Sequence, residues 1–565
     1  MPIYEEFIGR HRDDYATFED LSRNYKVSYP ETFNFAYDVL DKIAARTPDK
    51  LAMLWVSNDN VSKRFTFGEM SLLSNKAANF FTSKGIGKGD YVMLVLKRGY
   101  EFWYCMMGLH KIGAVAVQAT HLLTAKDYVY RMNSGGIKMV VMTGDDQCTE
   151  HVDEALDQYE TLKLRAVTRG KNVPGWIDFD REFELQSDVF ERPTGEAATK
   201  VTDIMTMSFS SGTTGYPKMV LHDHSYPLGH LLTGVFWHRV EDGGLHFTIS
   251  DTGWLKSLWG KMYGQWLGES AIFTYDFEKF SATDILQKLD QYKITTFCAP
   301  PTMYRFMIKE DFSKYDFSSL KHCCTAGEAL NPEVYSQWLK NTNLKIFEGF
   351  GQTETTLVCG TIYPWMLPRL GSMGLQTPGN NIVVVDDEGN EVESGVTGEI
   401  CIRTDDEVGG KPIGVFRGYY RDESATNRSW HDGLYHTGDT AYRDEMGFLW
   451  YVGRVDDVIK SSGYRIGPFE VESALMEHPS VLECAVTGVP DPDRGFAVKA
   501  TIVLSKGYSP SDELTKALQS HVKSVTAPYK YPRIIEYVEA LPKTISGKIR
   551  RVEIREKDQA GGDNS

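Results

Sequence analysis

The segment Ser208–Lys218 has the sequence SFSSGTTGYPK and follows the apolar run Ile204–Met207. The apolar run predicts a buried strand, so the segment is a loop rich in glycine and hydroxyl residues that leaves a strand. Its backbone N–H groups, hydroxyls and single lysine suit a polyphosphate. The alternative is a flexible Ser/Thr/Gly linker, although the preceding strand and the Pro-Lys ending are not typical of linkers. The spacing also differs from the Walker motif, which disfavours a conventional kinase or ATPase loop.

Helix-like and strand-like patterns alternate on both sides of this loop. Tyr91–Leu96 predicts a buried strand, Phe102–Ile112 a helix and Ala114–Val117 a second strand, which together make one βαβ unit. Further along, Ile382–Val385 and Gly398–Ile402 predict antiparallel strands joined by a tight turn. The pattern therefore indicates α/β layers that give way to a β-rich region.

A short polar segment at residues 452–457 marks the predicted domain boundary, since 565 residues are too many for one compact core. Beyond it, the patterns predict a helix at Pro468–His478, strands at Val481–Val486 and Ala497–Leu504, and a helix at Ser511–Val522 that starts from Ser/Asp caps. These elements make a small α+β domain. The polar, glycine-containing residues 557–565 predict a disordered tail.

Composition excludes several classes of protein. The net charge of −16 argues against a general nucleic-acid binder. No stretch is apolar for the roughly 18 residues that a membrane span needs. The eight cysteines are scattered without a Cys-x-x-Cys pair, and the chain starts without a secretory pattern. We therefore expect a reduced, cytoplasmic protein without a structural zinc site.

Six segments resemble the motifs of the adenylate-forming (AMP-binding) superfamily, which contains acyl-CoA synthetases, adenylation domains and luciferases. In chain order they are Ser210–Lys218, Thr325–Ala329, Glu348–Glu354, Tyr435–Asp439, Gly453–Asp457 and Pro542–Lys548. The resemblance runs from about residue 35 to 555. Within the superfamily, the sequence as a whole is similar to the medium-chain acyl-CoA synthetases. The domain boundary reached from composition coincides with the hinge of that family.

The resemblance implies a fold and a domain division. The fold class is α/β: a large N-terminal domain of two α/β layered subdomains plus a β-barrel-like subdomain, with a small mobile α+β C-terminal domain. The implied division is an adenylation domain at 1–453, a hinge at 454–457, a mobile domain at 458–556 and the tail at 557–565.

The resemblance also implies a reaction and its binding residues. The reaction is an acid–CoA ligase reaction that consumes ATP and CoA and passes through an acyl-adenylate. The positions that match the ATP and AMP contacts of the family are Ser210, Ser211, Gly212, Thr213, Thr214, Gly215, Lys218, Gly327, Glu328, Ala329, Glu348, Gly349, Phe350, Gly351, Gln352, Asp439, Arg454 and Arg465. Of these, Lys218 matches a contact to the β- and γ-phosphates, and Asp439 and Arg454 match the pair that grips the ribose.

Three further positions match catalytic residues. Thr353 matches the hydroxyl that is donated to the α-phosphate, and Glu354 the carboxylate that holds Mg²⁺, a hard ion that prefers oxygen ligands. Lys548 matches the lysine of the adenylation step. Cations are needed because a carboxylate must approach an anionic phosphate.

The remaining implied residues concern the hinge and the two other substrates. Asp456 matches the hinge residue, and Gly463 and Tyr464 lie on the CoA side. Gly351 and Trp254 are candidates for the acid pocket, where acetate-activating relatives carry tryptophan at the position of Gly351. The glycine predicts open space for a medium-chain, branched or aromatic acid.

Other functions stay open at this point. The chain could load a carrier protein as a stand-alone adenylation enzyme, carry out luciferase-like chemistry, or be an inactive nucleotide-binding regulator. The segment His222-Asp223-His224 offers two potential metal ligands but no third at suitable spacing.

Overall fold

The computed structural model describes residues 1–144, 147–170, 172–210, 216–328, 330–405, 411–462, 464–544 and 548–562. Within these ranges, the α-helices are Glu5–Ile8, Phe18–Asn24, Lys42–Arg46, Phe67–Ser83, Glu101–Ile112, Ala125–Gly135, Cys148–Asp153, Phe179–Glu184, Tyr226–Leu231, Lys256–Lys261, Tyr263–Leu267, Ala282–Gln291, Pro301–Met307, Pro332–Thr342, Glu423–Ser429, Pro468–Met476, Asp512–Val525 and Arg551–Gly562. Among them, none combines the length and apolar character needed to cross a bilayer.

The first sheet has seven strands and carries the glycine-rich loop. Its spatial order is Ile177–Asp178, Leu164–Thr168, Ile137–Thr143, Tyr91–Val95, Val115–Gln118, Ile204–Ser210 and Lys218–Asp223. All neighbours are parallel except the last pair, which is an antiparallel hairpin. The predicted βαβ unit is confirmed, and the two strands of the hairpin flank the glycine-rich segment in the sequence.

The second sheet changes from α/β to antiparallel along its length. Its α/β part contains Ser62–Thr66, Leu51–Ser57, Ala271–Asp276, Leu245–Thr248, Thr296–Cys298, His322–Thr325 and Ile346–Phe350. The antiparallel part continues through Cys359–Gly360, Ser372–Gln376, Leu449–Arg454, Leu434–Arg443, Gly398–Arg403 and Ile382–Val385, with Trp430–His431 paired to Leu434–Arg443. The predicted antiparallel pair of Ile382–Val385 and Gly398–Ile402 is confirmed.

Two helices lie in the core of the large domain. Phe67–Ser83 begins with a capping box, in which Thr66 and Glu69 satisfy each other's backbone N–H groups. It packs against Glu101–Ile112, in which every residue is buried. Gly108 permits this close approach, because a Cβ there would lie 2.6 Å from the Cβ of Ala77.

The small domain has its own five-stranded sheet. The order is Tyr464–Ile466, Ile459–Ser461, Gly495–Leu504 and Val481–Asp491, with Ile534–Tyr537 parallel to Gly495–Leu504. Helices Pro468–Met476 and Asp512–Val525 pack on it through residues such as Val471, Leu475 and Leu518. The predicted cap is present, since the Ser511 hydroxyl accepts from the Leu514 N–H at 3.1 Å. The predicted fold class is therefore confirmed.

The prediction of a disordered tail from residue 557 is wrong for residues 557–562, which complete the last helix. Two contacts that composition does not indicate hold this helix on the small domain. Ile554 is buried against Leu541 in the small domain, and Asp558 pairs with the buried Lys499. Residues 563–565 lie outside the described ranges.

Candidate active site

Two residues that are predicted to bind ATP lie at the two ends of the glycine-rich loop. Ser210 and Lys218 are cross-strand partners, and the Ser210 hydroxyl lies 3.5 Å from the Lys218 carbonyl oxygen. Ser211, Gly212, Thr213, Thr214 and Gly215 lie outside the described residues. The exposed Lys218 places its ammonium 4.6 Å from the centre of the Tyr419 ring. The hairpin therefore directs a cation toward Tyr419.

Tyr419 joins this hairpin to the predicted metal ligand. Its hydroxyl donates to Glu354 Oε1 at 2.9 Å, and its backbone bridges to Val220 of the hairpin. Burial raises the pKa of Glu354, so a nearby cation would stabilise its charged form. Lys218 and Glu354, which are distant in sequence, thus meet at one aromatic ring. Sequence reasoning missed Tyr419, whose only signal is its place in an aromatic stretch.

A buried histidine fixes the residue beside Glu354. His222 Nε2 donates to the Thr353 carbonyl oxygen at 2.7 Å. Burial lowers the pKa of His222 to about 4, so the ring is neutral at physiological pH. Its neighbour Asp223 pairs with Arg417 and accepts from the Ser225 hydroxyl. His222 therefore positions the Thr353 segment. Asp223 interacts with Arg417 and Ser225 and takes no part in this contact.

The predicted ribose pair is assembled by two antiparallel strands. Asp439 and Arg454 are cross-strand partners, with Nη1 and Oδ2 3.3 Å apart. The Tyr451 hydroxyl donates to Asp439 Oδ1 at 3.2 Å. Gln352 donates to Asp439 and, at 2.8 Å, to the Thr437 carbonyl oxygen. Gln352 precedes Thr353 directly, so this contact places the ribose pair beside the Thr353–Glu354 segment.

The predicted adenine wall contains side chains of two kinds. Phe350 is half-buried at the end of its strand. By contrast Glu348 is 6% exposed, and burial raises its pKa to about 8. Gly349 allows close packing, because a Cβ there would lie 2.7 Å from the Trp237 ring. Glu348 is thus a core residue held largely neutral, while Phe350 offers an accessible ring.

The Thr325–Ala329 segment follows a strand that is parallel to the strand of Glu348. Gly327 has a positive φ of 105° and no atom within 4 Å of an added Cβ, so it borders open space. Glu328 accepts from the Thr302 hydroxyl at 2.8 Å. Ala329 lies outside the described residues.

The structure contradicts the open-space interpretation of Gly351. A Cβ at this position would lie 2.2 Å from the Thr356 carbonyl oxygen, so backbone fills the direction of a side chain. Trp254 is half-buried just before helix Lys256–Lys261. The chain then forms two short helices, Lys256–Lys261 and Tyr263–Leu267, which are separated at Met262, where φ is −159°.

Lys548 of the small domain interacts electrostatically with Lys256 of the large domain. Burial lowers the pKa of Lys256, and the charge of Lys548 lowers it further. The Lys256 ammonium lies 3.4 Å from the Ala326 carbonyl oxygen, in the segment predicted to contact the adenine. Sequence reasoning missed Lys256 because its apolar neighbours dominated the pattern.

Ion pairs cross between the two domains. Glu483 of the small domain lies 3.3 Å from Arg305 of the large domain and 2.8 Å from Lys543 in the loop of Lys548. Arg465 pairs with Asp387, in a turn of the large domain. Arg465 is therefore not brought to the nucleotide residues in this arrangement, contrary to its predicted phosphate contact.

The predicted hinge lies between the sheets of the two domains. Asp456 is exposed in a 3₁₀ turn, Val455–Asp457. The next residue, Asp457, pairs with Arg555 and lies 3.7 Å from Arg551, both of the small domain. Tyr464, predicted to lie on the CoA side, is 51% exposed and stacks on Tyr529 at 4.1 Å. Gly463 lies outside the described residues.

A glycine-rich segment after a strand, an aspartate–arginine pair at the predicted ribose contact and a lysine on a second domain are the features expected of adenylate-forming enzymes. The model of the family described as AMP-binding enzyme matches residues 40–420, and that of the AMP-binding enzyme C-terminal domain matches residues 470–548. The chain belongs to the AMP-binding enzyme family.

Relatives within the family resemble nearly the whole chain. Mouse mitochondrial acyl-coenzyme A synthetase ACSM3 is 40% identical, with 98% of this chain and 96% of the relative covered. Rat mitochondrial acyl-coenzyme A synthetase ACSM5 is 40% identical, with 96% and 93% covered. The predicted enzyme class, an AMP-forming acyl-CoA synthetase, is confirmed.

Solved structures agree with this class. The anthranilate CoA ligase AuaEII in complex with anthranoyl-AMP has a TM-score of 0.86 at 28% identity, with 95% of this chain and 99% of that chain covered. The acyl-CoA synthetase of Brucella canis has a TM-score of 0.73 at 30% identity, with 97% and 99% covered.

The predicted cytoplasmic location is contradicted, because the synthetases ACSM3 and ACSM5 are named as mitochondrial. All eight cysteines are buried, and none of them is disulfide-bonded. Cysteine usage separates reducing from oxidising compartments and does not distinguish one reducing compartment from another. Composition therefore indicates a reducing compartment and does not single out the cytoplasm.

Proposed function

We propose that this enzyme converts a carboxylic acid, ATP and CoA to acyl-CoA, AMP and pyrophosphate in two half-reactions. The observation that carries the proposal is the meeting of Lys218 and Glu354 at Tyr419, next to the Asp439–Arg454 pair. This arrangement offers a polyphosphate and a ribose adjacent binding groups on the large domain. The near-full-length similarity to acyl-CoA synthetases supports the same reaction.

In the first half-reaction, the large domain binds the ribose and the phosphates of ATP with separate groups. Asp439 is almost fully buried and already hydrogen-bonded to Tyr451, so its carboxylate is pre-oriented to accept from ribose hydroxyls. Lys218 and the adjoining loop bind the β- and γ-phosphates. The Thr353 hydroxyl then lies at the α-phosphate, because Gln352 connects Thr353 to the ribose pair.

Glu354 fits the Mg²⁺ that we expect with ATP. Its carboxylate supplies oxygen ligands of the kind that Mg²⁺ prefers. Burial raises the pKa of Glu354, and a bound cation would offset this effect by stabilising the carboxylate. The ion would neutralise phosphate charge. Tyr419 holds one carboxylate oxygen by a hydrogen bond and so orients the group.

Lys548 brings the acid and the α-phosphate together. A carboxylate oxygen attacks the α-phosphorus, and the bond to the bridging oxygen of pyrophosphate breaks. The Lys548 ammonium lowers the repulsion between the two anions and stabilises the charge of the transition state. Lys256, near Lys548 and half-buried at the Ala326 carbonyl, adds positive potential on the acid side.

In the second half-reaction, rotation at Asp456 exchanges the face that the small domain presents. Lys548 withdraws, and Gly463, Tyr464 and Arg465 approach the site with CoA. The thiolate of CoA attacks the acyl carbon, and the bond to AMP breaks. The rotation requires Arg465 to leave Asp387 and Glu483 to leave Arg305.

We propose a medium-chain, branched or aromatic acid as the substrate. Gly351 does not support this choice, because the Thr356 backbone fills its side-chain direction. Support comes from the anthranilate CoA ligase among the similar structures and from an aromatic lining near Lys256. Trp259 lies 5.4 Å from the Lys256 ammonium and 6.3 Å from the Trp237 ring. The names of the ACSM relatives further support a mitochondrial location.

Two other outcomes are distinguished by one experiment. The enzyme is incubated with ATP and Mg²⁺ and a panel of acids from acetate to decanoate, benzoate and branched acids, with and without CoA. We expect AMP and pyrophosphate only with a suitable acid, and acyl-CoA only with CoA. Adenylate formation without CoA transfer would favour loading of a carrier protein. Nucleotide binding without turnover of any acid would favour an inactive regulator.

A further inference from the structure

A cluster of three potential metal ligands lies on the antiparallel sheet of the large domain, outside the site described above. Cys401 and His436 are cross-strand partners, and Glu399 precedes Cys401 by two residues on the same strand. Side chains two residues apart project from the same face of a strand. The register of the pairing shifts between Glu399 and Cys401, and the thiol, the imidazole and the carboxylate still converge.

We propose that Glu399, Cys401 and His436 form a binding site for Zn²⁺ or a similar soft divalent ion. Their ligand atoms all lie within 4.8 Å of one another. The His436 Nδ1 atom is central: it lies 3.4 Å from Cys401 Sγ and 3.0 Å from Glu399 Oε2.

These separations are close to those of tetrahedral zinc. Zn–S bonds of about 2.3 Å and Zn–N bonds of about 2.0 Å at tetrahedral angles separate sulfur from nitrogen by about 3.5 Å. The same geometry separates nitrogen from a carboxylate oxygen by about 3.3 Å. The third separation, between Cys401 Sγ and the Glu399 carboxylate oxygen, lies within 4.8 Å and would have to close to about 3.5 Å. Glu399 can make this movement because its side chain is 22% exposed. The site is thus partly formed before an ion arrives.

The donor set selects the class of ion. A thiolate and an imidazole prefer Zn²⁺ over Mg²⁺ or Ca²⁺, which take oxygen ligands. Cys401 itself is buried, whereas the His436 side chain is 14% exposed and opens the cluster to solvent. Three protein ligands and a water would complete the coordination. Binding would release the proton of the Cys401 thiol.

His431 lies beside the cluster and provides a control. Its ring stacks on His436 at 3.9 Å with an interplanar angle of 17°. Two stacked rings cannot both direct their in-plane nitrogens at one ion between them. His431 Nδ1 instead contacts Asp432 at 2.9 Å. We therefore exclude His431 from the ligands.

The cluster also touches the nucleotide residues. Glu399 Oε1 accepts from the Gly438 N–H at 2.8 Å, and Gly438 directly precedes Asp439. An ion at the cluster would therefore be connected to Asp439, the predicted ribose carboxylate, through the hydrogen bond between Glu399 and the Gly438 N–H. It would still be a separate site from Glu354, with a different preference for metals.

The test is titration of the chelator-treated enzyme with Co²⁺, followed by its absorption spectrum. We expect one Co²⁺ per chain, a thiolate-to-cobalt charge-transfer band, displacement by Zn²⁺ and persistence in excess Mg²⁺. Cys401→Ser should lose the band, whereas Cys484→Ser, which removes a buried thiol in the small domain, and His431→Ala should keep it. A wild-type enzyme without the band, or Cys401→Ser with it, would overturn the proposal.

A second pair of variants keeps the test decisive if Cys401→Ser does not fold. Glu399→Gln can keep the contact to Gly438 through its amide oxygen, and His436→Gln replaces a partly exposed ring. Each should weaken Co²⁺ binding by at least the roughly tenfold that loss of an outer partner costs. Unchanged affinity in both would show that the three side chains are held by hydrogen bonds alone.

Discussion

Arg305 of the large domain and Glu483 of the small domain form an ion pair with Nη2 and Oε1 3.3 Å apart. Glu483 also holds Lys543, in the same loop as Lys548. One carboxylate therefore couples Lys543, five residues before the proposed catalytic Lys548, to the surface of the large domain.

Removal of this pair should shift the balance between the domain arrangements. Exposed ion pairs contribute about 0.2–1 kcal/mol, and this pair should lie at or above the top of that range because both side chains are less than a fifth exposed. Arg305→Ala should therefore slow single-turnover adenylate formation by about 5-fold or more, with thiolysis of a supplied acyl-adenylate unchanged or faster. Lys314→Ala, which breaks an exposed pair within the large domain, is the control. Equal slowing of both half-reactions in Arg305→Ala would contradict this role.

A proline at the hinge should separate the two half-reactions in the opposite sense. Asp456→Pro fixes φ and removes the freedom that rotation needs. Single-turnover adenylate formation should survive while thioester formation collapses, as measured by rapid quench with and without CoA. If both rates fall equally, Asp456 is not the hinge.

Loss of the ribose carboxylate should weaken nucleotide binding. Hydrogen bonds to a charged group contribute about 1.5–3 kcal/mol, so Asp439→Asn should raise the KM for ATP by about 10- to 100-fold. The KM for the acid should change little. Asp432→Asn, at an exposed turn of the same sheet, is the matched control. An unchanged KM for ATP would remove Asp439 from the site.

Glu348 should make the stability of the enzyme depend on pH. Its folded-state pKa is about 8, raised by burial from an ordinary value near 4.5. The folded state therefore binds the proton more tightly, and the stabilisation present below pH 4.5 is lost as pH rises toward 8. Urea unfolding between pH 5 and pH 8 should show a smaller decline in Glu348→Gln than in the wild type. Identical slopes would mean that Glu348 is ionised in the folded protein.

Much of the fold was predictable because local patterns agree with tertiary structure. The strand at Tyr91, the turn at Asp386–Asn390 and the cap at Ser511 depend on neighbouring residues, and each is present. The last helix was not predictable from composition, because its stability comes from Ile554 and Asp558 contacting distant residues.

The residues of the candidate site likewise fall into those that local sequence motifs identify and those that depend on distant contacts. The motifs around Ser210, Thr353 and Asp439 identify residues whose chemistry is local to a loop or strand end. Tyr419, His222 and Lys256 act through partners more than sixty residues away, and such contacts leave no local pattern. Gly351 shows the converse error: a missing side chain predicted space that the backbone of Thr356 occupies.

The most direct measurement compares the two half-reactions in Lys548→Ala. Adenylate formation is followed by acid-dependent pyrophosphate release, and thiolysis by conversion of a supplied acyl-adenylate with CoA. We predict that adenylation falls by orders of magnitude while thiolysis stays largely intact, because the proposed rotation of the small domain withdraws Lys548 before thiolysis. Equal loss in both assays, or normal adenylation, would contradict the central claim that the small domain delivers this charge to the reacting anions.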